Sequence, residues 1–186
     1  GIVRGQFRGY HDEKGVVPDS KVETFVALRL AIETWRWGGV PFYLRTGKCL
    51  PVTTTDVVAT LRRPPQALFD ERSARANYVR FRLGPDITIG LGANVKRAGK
   101  SMRGKEAELT AARLNLTDVP PYARLIGDAA IGDQELFTRQ DAVEAAWRVV
   151  DPILRDDAPP YEYEPGTWGP DEAARILSDR ARWRSG

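Results

Sequence analysis

The sequence predicts an α+β fold, a large and mostly antiparallel β-sheet with helices packed on one face. Two observations carry that prediction. Segments alternating with period two occupy the chain up to Val95 and are joined by short connections. Short connections favour antiparallel pairs, because parallel pairs need long crossovers. Helical periodicity begins only at Tyr122, and strands first with helices later is the α+β pattern. A length of 186 residues, with 42% hydrophobic and 28% charged residues, fits one globular domain over 1–186.

The first predicted strand is Lys21 to Trp35. Val22, Thr24, Val26, Leu28, Leu30 and Ile32 make its apolar face, and Phe25, Ala27, Arg29 and Ala31 lie on a mixed face. Trp35 to Trp37 then run into a Gly38-Gly39 turn. Val40 to Arg45 and Asp56 to Arg62 read as strands, the latter closed by Pro64-Pro65. Tyr78 to Leu83 and Ile87 to Val95 read as a hairpin around Gly84-Pro85-Asp86. Asn94 to Lys105, with Lys96, Arg97, Lys100, Arg103, Lys105 and two glycines, reads as a basic mobile loop.

Tyr122 to Ile131 is a predicted helix. A second starts at Thr138 as N-cap with Asp141 three positions on, and Val143, Ala146, Trp147 and Val150 form its apolar stripe. Pro152 is expected to kink or end it. Ala158 to Pro170 reads as a loop and Asp171 to Arg184 as a basic amphipathic helix. Helices cover one sheet face. The other, with Phe25, Ala27, Ala31 and Trp35, is expected to meet a second copy in a two-fold dimer.

The net charge of +3 is spread along the chain and reads as a solvated surface. The basic loop lacks aromatic platforms, which argues against nucleic acid as a partner. No apolar run reaches the ~18 residues of a membrane span, so no membrane partner is expected. The single Cys49 excludes an internal disulfide. With His11 as the sole imidazole, a structural zinc site cannot be assembled either. His11 sits among Gly9, Asp12 and Gly15, as a surface histidine in a turn would, and Cys49 has no base beside it. No G-x-G-x-x-G follows a strand, and no Walker loop is present. Catalytic, metal and cofactor-binding residues are therefore not expected on this chain. The remaining candidate is Arg45-Thr46-Gly47-Lys48, where a strand end presents an ammonium suited to a phosphate or carboxylate. On spacing alone, an ordinary glycine turn reads the same.

Longer motifs add a resemblance. Arg4-Gly5-Gln6-Phe7, the run Trp37-Gly38-Gly39-Val40-Pro41-Phe42-Tyr43-Leu44-Arg45-Thr46-Gly47-Lys48, and Arg82-Leu83-Gly84-Pro85-Asp86 are followed by Pro121-Tyr122-Ala123-Arg124-Leu125-Ile126. Val143-Glu144-Ala145-Ala146-Trp147-Arg148, Asp151-Pro152-Ile153-Leu154 and Gly169-Pro170 complete the series. In that order they resemble the C-terminal domain of bacterial glucose-6-phosphate dehydrogenases. The resemblance implies an enzyme that oxidises glucose 6-phosphate to 6-phosphogluconolactone in the oxidative pentose phosphate route. It implies NADP held by an N-terminal Rossmann domain absent from these residues, with the catalytic His and Asp also upstream. It further implies a cytoplasmic homodimer through the β-sheet. Lys48 matches the family's substrate-binding lysine. Thr53 stands where a second cation usually meets the phosphate and could donate one neutral hydrogen bond. The alternative is a stand-alone, non-catalytic scaffold or regulatory domain of the same fold.

Overall fold

The computed structural model describes residues 1–63, 66, 75–99, 102–112, 120–154, 158–178 and 181–184. Its strands are β1 (Ile2–Phe7), β2 (Phe25–Ala31), β3 (Pro41–Gly47), β4 (Thr55–Thr60), β5 (Tyr78–Gly84), β6 (Thr88–Lys96), β7 (Gly104–Ala112) and β8 (Tyr161–Tyr163). The helices are α1 (Pro121–Ala130) and α2 (Gln140–Leu154). The α+β class stands, with the strands shared between two four-stranded sheets, β3-β2-β1-β8 and β4-β5-β6-β7. Among the described residues only β1 and β8 pair in parallel. The chain divides into two compact units, Gly1–Pro51 with Thr117–Trp183, and Val52–Leu116 with Arg184–Gly186.

In the first unit, β2 is seven residues long, shorter than the predicted Lys21 to Trp35. Side chains capture the segment before it. The Gln6 amide donates to the carbonyls of Ser20 and Val22 at 3.0 Å each, and Arg4 bonds the Lys21 carbonyl and the Glu23 carboxylate, also at 3.0 Å. These bonds hold residues 20–23 off the sheet. After Ala31 the chain closes a turn on the Thr34 carbonyl, which accepts from Trp37 and Gly38.

The mixed face of β2 is covered at Phe25 and Ala27, and Leu28 on the other face is buried as well. Phe25 and Ala27 join Val3, Tyr163, Ala173 and Ile176 in the core. The residues opposite Phe25 and Ala27 on β1 are Gly5 and Val3, and small residues let the 3₁₀ turn Asp171–Ile176 close over the sheet. The expected dimer contact through Phe25 and Ala27 is thereby corrected, because this chain's own turn occupies that face. Trp35, 95% exposed, lies beyond the strand end. The predicted helix from Asp171 is also corrected, since it stops at Ile176. The chain beyond is drawn along β3 instead. Tyr43 accepts the Ser178 N–H at 3.2 Å, and the Arg45 guanidinium stacks on Trp168 and Trp183 at 4.3 and 4.8 Å. Burial holds that guanidinium below its usual pKa.

Helix α1 falls where helical periodicity begins. In α2 the first helical bond runs from Val143 N–H to the Arg139 carbonyl, so the cap falls at Arg139, one residue past the expected Thr138. Arg139 also binds the Asp141 carboxylate at 2.8 and 3.0 Å. Pro152 sits inside the last turn without stopping the helix before Leu154. Tyr122, Ile126, Val143 and Trp147 remain exposed.

The second unit contains the predicted β5–β6 hairpin and a further strand, β7, which starts at the end of the stretch read as a loop and runs on through residues for which no element was expected. Arg97 N–H bonds the Arg103 carbonyl at 2.9 Å, which extends the antiparallel β6–β7 pairing beyond Lys96 and Gly104. Lys100, like Pro64-Pro65, lies outside the described residues. The two faces of this sheet differ sharply. Val57, Phe81, Ile89, Leu91 and Leu109 lie on one face through their cross-strand pairing, and all are exposed. On the other face Asp56 pairs with Arg80 and Arg82, Arg80 approaches Glu108, and the Tyr78 hydroxyl donates to Glu108. Gly90 and Gly92 leave the room that Glu108 and the Tyr78 ring occupy.

Candidate functional site: the Lys48 turn

Lys48 follows directly on β3. The strand ends there because Gly47 lies opposite Phe25, and the chain turns with Cys49 in the left-handed region at φ +50°. A non-glycine residue at such a φ is held by its surroundings. Here the Lys48 N–H donates to the Thr24 carbonyl at 2.8 Å, and the Lys48 carbonyl accepts the Tyr163 hydroxyl at 2.7 Å. The Cys49 carbonyl accepts the Gly166 N–H, also at 2.7 Å. The Thr24 backbone just ahead of β2, the Tyr163 side chain of β8 and the Gly166 backbone thus fix the turn on three sides.

Lys48 is exposed and borders a cleft of about 660 Å³, lined also by Phe7, Tyr10, Glu13, Glu23 and Thr46. Among the described residues its ammonium makes no ion pair. Glu23, by contrast, is held by Arg4 at 3.0 Å. The cleft therefore presents an uncompensated cation, an aromatic wall at Phe7 and Tyr10, and carboxylates able to accept from hydroxyl groups. Such a set suits a polar anion carrying hydroxyls.

Thr53, the second predicted contact, is exposed and belongs to the second unit, whereas Lys48 belongs to the first. His11 is exposed in a 3₁₀ turn, with Nε2 at 3.0 Å from the Ser20 carbonyl. Cys49 is a free, exposed thiol. Among the described residues no group of three metal-ligating side chains converges, and no helix is long and apolar enough to cross a membrane. Sequence reading missed Tyr163 and Thr24. The alternation Tyr161-Glu162-Tyr163 between prolines was the available strand signal.

Fold and cleft together define a class, an α+β domain that carries an exposed lysine on a strand-end turn beside a cleft. Residues 1–184 match the family described as glucose-6-phosphate dehydrogenase, C-terminal domain. The glucose-6-phosphate 1-dehydrogenase of Aggregatibacter actinomycetemcomitans is 42% identical over 192 residues, which cover 99% of this chain and 39% of that protein. A Mycobacterium tuberculosis glucose-6-phosphate 1-dehydrogenase is 38% identical, covering 98% and 40%. The crystal structure of the Mycobacterium avium glucose-6-phosphate 1-dehydrogenase superposes with a TM-score of 0.87 at 37% identity, over all of this chain and 40% of that one. A glucose-6-phosphate dehydrogenase in complex with its substrate glucose-6-phosphate gives 0.81 at 30% identity, covering 100% and 41%. The chain belongs to the glucose-6-phosphate dehydrogenase C-terminal domain family. It spans about two fifths of the length of these curated relatives.

Proposed function

We propose that this chain acts as the C-terminal part of a cytoplasmic glucose-6-phosphate dehydrogenase, contributing to the sugar-phosphate site and to a homodimer. The observation that carries the reading is Lys48, whose ammonium makes no ion pair among the described residues and stands on a braced turn beside an open cleft. Its role is to bind and orient the sugar phosphate as a point-charge donor. The dinucleotide such an enzyme uses would supply the hydride acceptor, but these residues do not fit one. Residues 113–120 ahead of α1 contain no glycine, and 131–139 ahead of α2 contain only Gly132, so neither helix start offers a glycine-rich phosphate cradle. In this reading the dinucleotide and the proton-transfer groups lie in the part of the relatives' length that this chain does not cover. The second copy covers the exposed apolar face of the β4-β5-β6-β7 sheet, which supports the dimer reading.

The experiment is Lys48→Ala in the complete enzyme. Loss of a charge-assisted contact is expected to raise KM for glucose 6-phosphate by roughly tenfold or more. An unchanged KM would remove Lys48 from the substrate site.

A further inference from the structure

The brace beneath Lys48 comes from a residue 115 positions away. Tyr163 is 4% exposed, and its ring centroid lies 5.5 Å from that of Phe25. Its hydroxyl meets the Lys48 carbonyl at 2.7 Å and Thr24 Oγ1 at 3.2 Å, with the Thr24 carbonyl farther off at 3.3 Å. Thr24 Oγ1 in turn accepts the Phe7 N–H at 2.9 Å. A phenol carries one proton, and the shortest contact claims it for the Lys48 carbonyl. The Thr24 hydroxyl proton is then directed to the Tyr163 oxygen. A chain of three hydrogen bonds runs from β1 through Thr24 and Tyr163 into the Lys48 peptide.

We infer that Tyr163 is a positioning residue that acts through Lys48, its hydroxyl setting the peptide plane from which the lysine stem projects into the cleft. The inference rests on the reading of Lys48 as the substrate cation. Two features give it physical content. The lysine stem is long and flexible, so the direction of its Cα–Cβ bond governs where the ammonium can reach. The following residue, Cys49, holds an unfavourable φ of +50° that persists only while neighbouring bonds enforce it. Removing the Tyr163 hydroxyl leaves a carbonyl under-satisfied and lets that turn relax. Burial raises the Tyr163 pKa, with the Thr24 hydrogen bond opposing, so the hydroxyl remains a donor through neutral pH.

The test uses the complete dehydrogenase with Tyr163→Phe, which keeps the ring and removes only the hydroxyl. The expected result is a KM for glucose 6-phosphate raised roughly three- to tenfold, with kcat within roughly twofold and the dinucleotide KM unchanged. In a Lys48→Ala background the same change is expected to add nothing, because its effect passes through the lysine. A merely structural role would instead lower Tm and weaken both backgrounds equally. If Lys48→Ala raises KM but Tyr163→Phe does not, or if the two multiply, the positioning role is overturned and the Lys48 reading survives. If Lys48→Ala leaves KM unchanged, both fall. Should Tyr163→Phe fail to fold, Thr24→Val breaks the same chain one bond earlier. A raised KM that disappears in the Lys48→Ala background supports the inference, and an unchanged KM overturns it.

Discussion

Gly47 and Phe25 face each other across the β2–β3 pair with no room for a side chain between them: a Cβ on Gly47 would lie 2.8 Å from Cδ2 of the ring. The ring cannot retreat freely. Gly169, at φ +94°, also abuts it, and a Cβ there would lie 2.2 Å from Cε2. Phe25, only 1% exposed, therefore acts as the floor on which the Lys48 turn rests.

Gly47→Ala is accordingly expected to destabilise the protein by about 1–3 kcal/mol, the usual range for overpacking a closed site. Because the strain falls one residue before Lys48, KM for glucose 6-phosphate should rise as well. Thermal unfolding and steady-state kinetics on the one variant check both effects, and an unchanged Tm would show that the ring yields after all.

Asp56 links acid stability to the second unit. Its carboxylate accepts Arg82 Nε at 2.9 Å and Nη2 at 3.2 Å, and its side chain is 16% exposed. The Arg82 hydrogen bond is the largest influence on its pKa and holds it below the usual carboxylate value, with burial opposing. A depressed folded-state pKa stabilises above the unfolded value of about 3.9 and loses that contribution as pH falls through the folded value. Asp56→Asn should cost about 1–3 kcal/mol at neutral pH. It should also flatten the decline in urea midpoint below about pH 4. An unaltered acid slope in the variant would assign the decline to other carboxylates.

The dimer reading has a direct test at Leu109, the most exposed of the apolar residues named on the second sheet at 75%. Leu109→Glu places a charge where a partner sheet would have to exclude water, at a cost of several kcal/mol. Sedimentation of the complete protein should shift from dimer towards monomer, while β7 keeps its pairing because the side chain points away from the ladder. A variant that sediments like the parent would locate the interface elsewhere.

The legible part of the site was its local part. Arg45-Thr46-Gly47-Lys48 announced a strand end with a cation, and β3 ends at Gly47. The β5–β6 hairpin was equally local, with its turn at Gly84-Pro85-Asp86. β7 was missed because its glycine and its basic flank resemble a loop. Its partner is β6, a neighbour whose ladder no single-strand pattern reveals.

By itself, then, the sequence determined the α+β class, the alternation along each strand and the presence of Lys48 at a strand end. Tertiary structure alone decided that the mixed face of β2 is covered at Phe25 and Ala27. Period-two alternation defines two faces but cannot rank them when one is apolar and the other carries Phe25 and Ala27. That ranking came from Ala173 and Ile176, more than 140 residues along the chain, which close over the smaller side chains. The brace from Tyr163 to Lys48 has the same origin: a hydrogen bond across 115 residues exists only after β8 has aligned with β1.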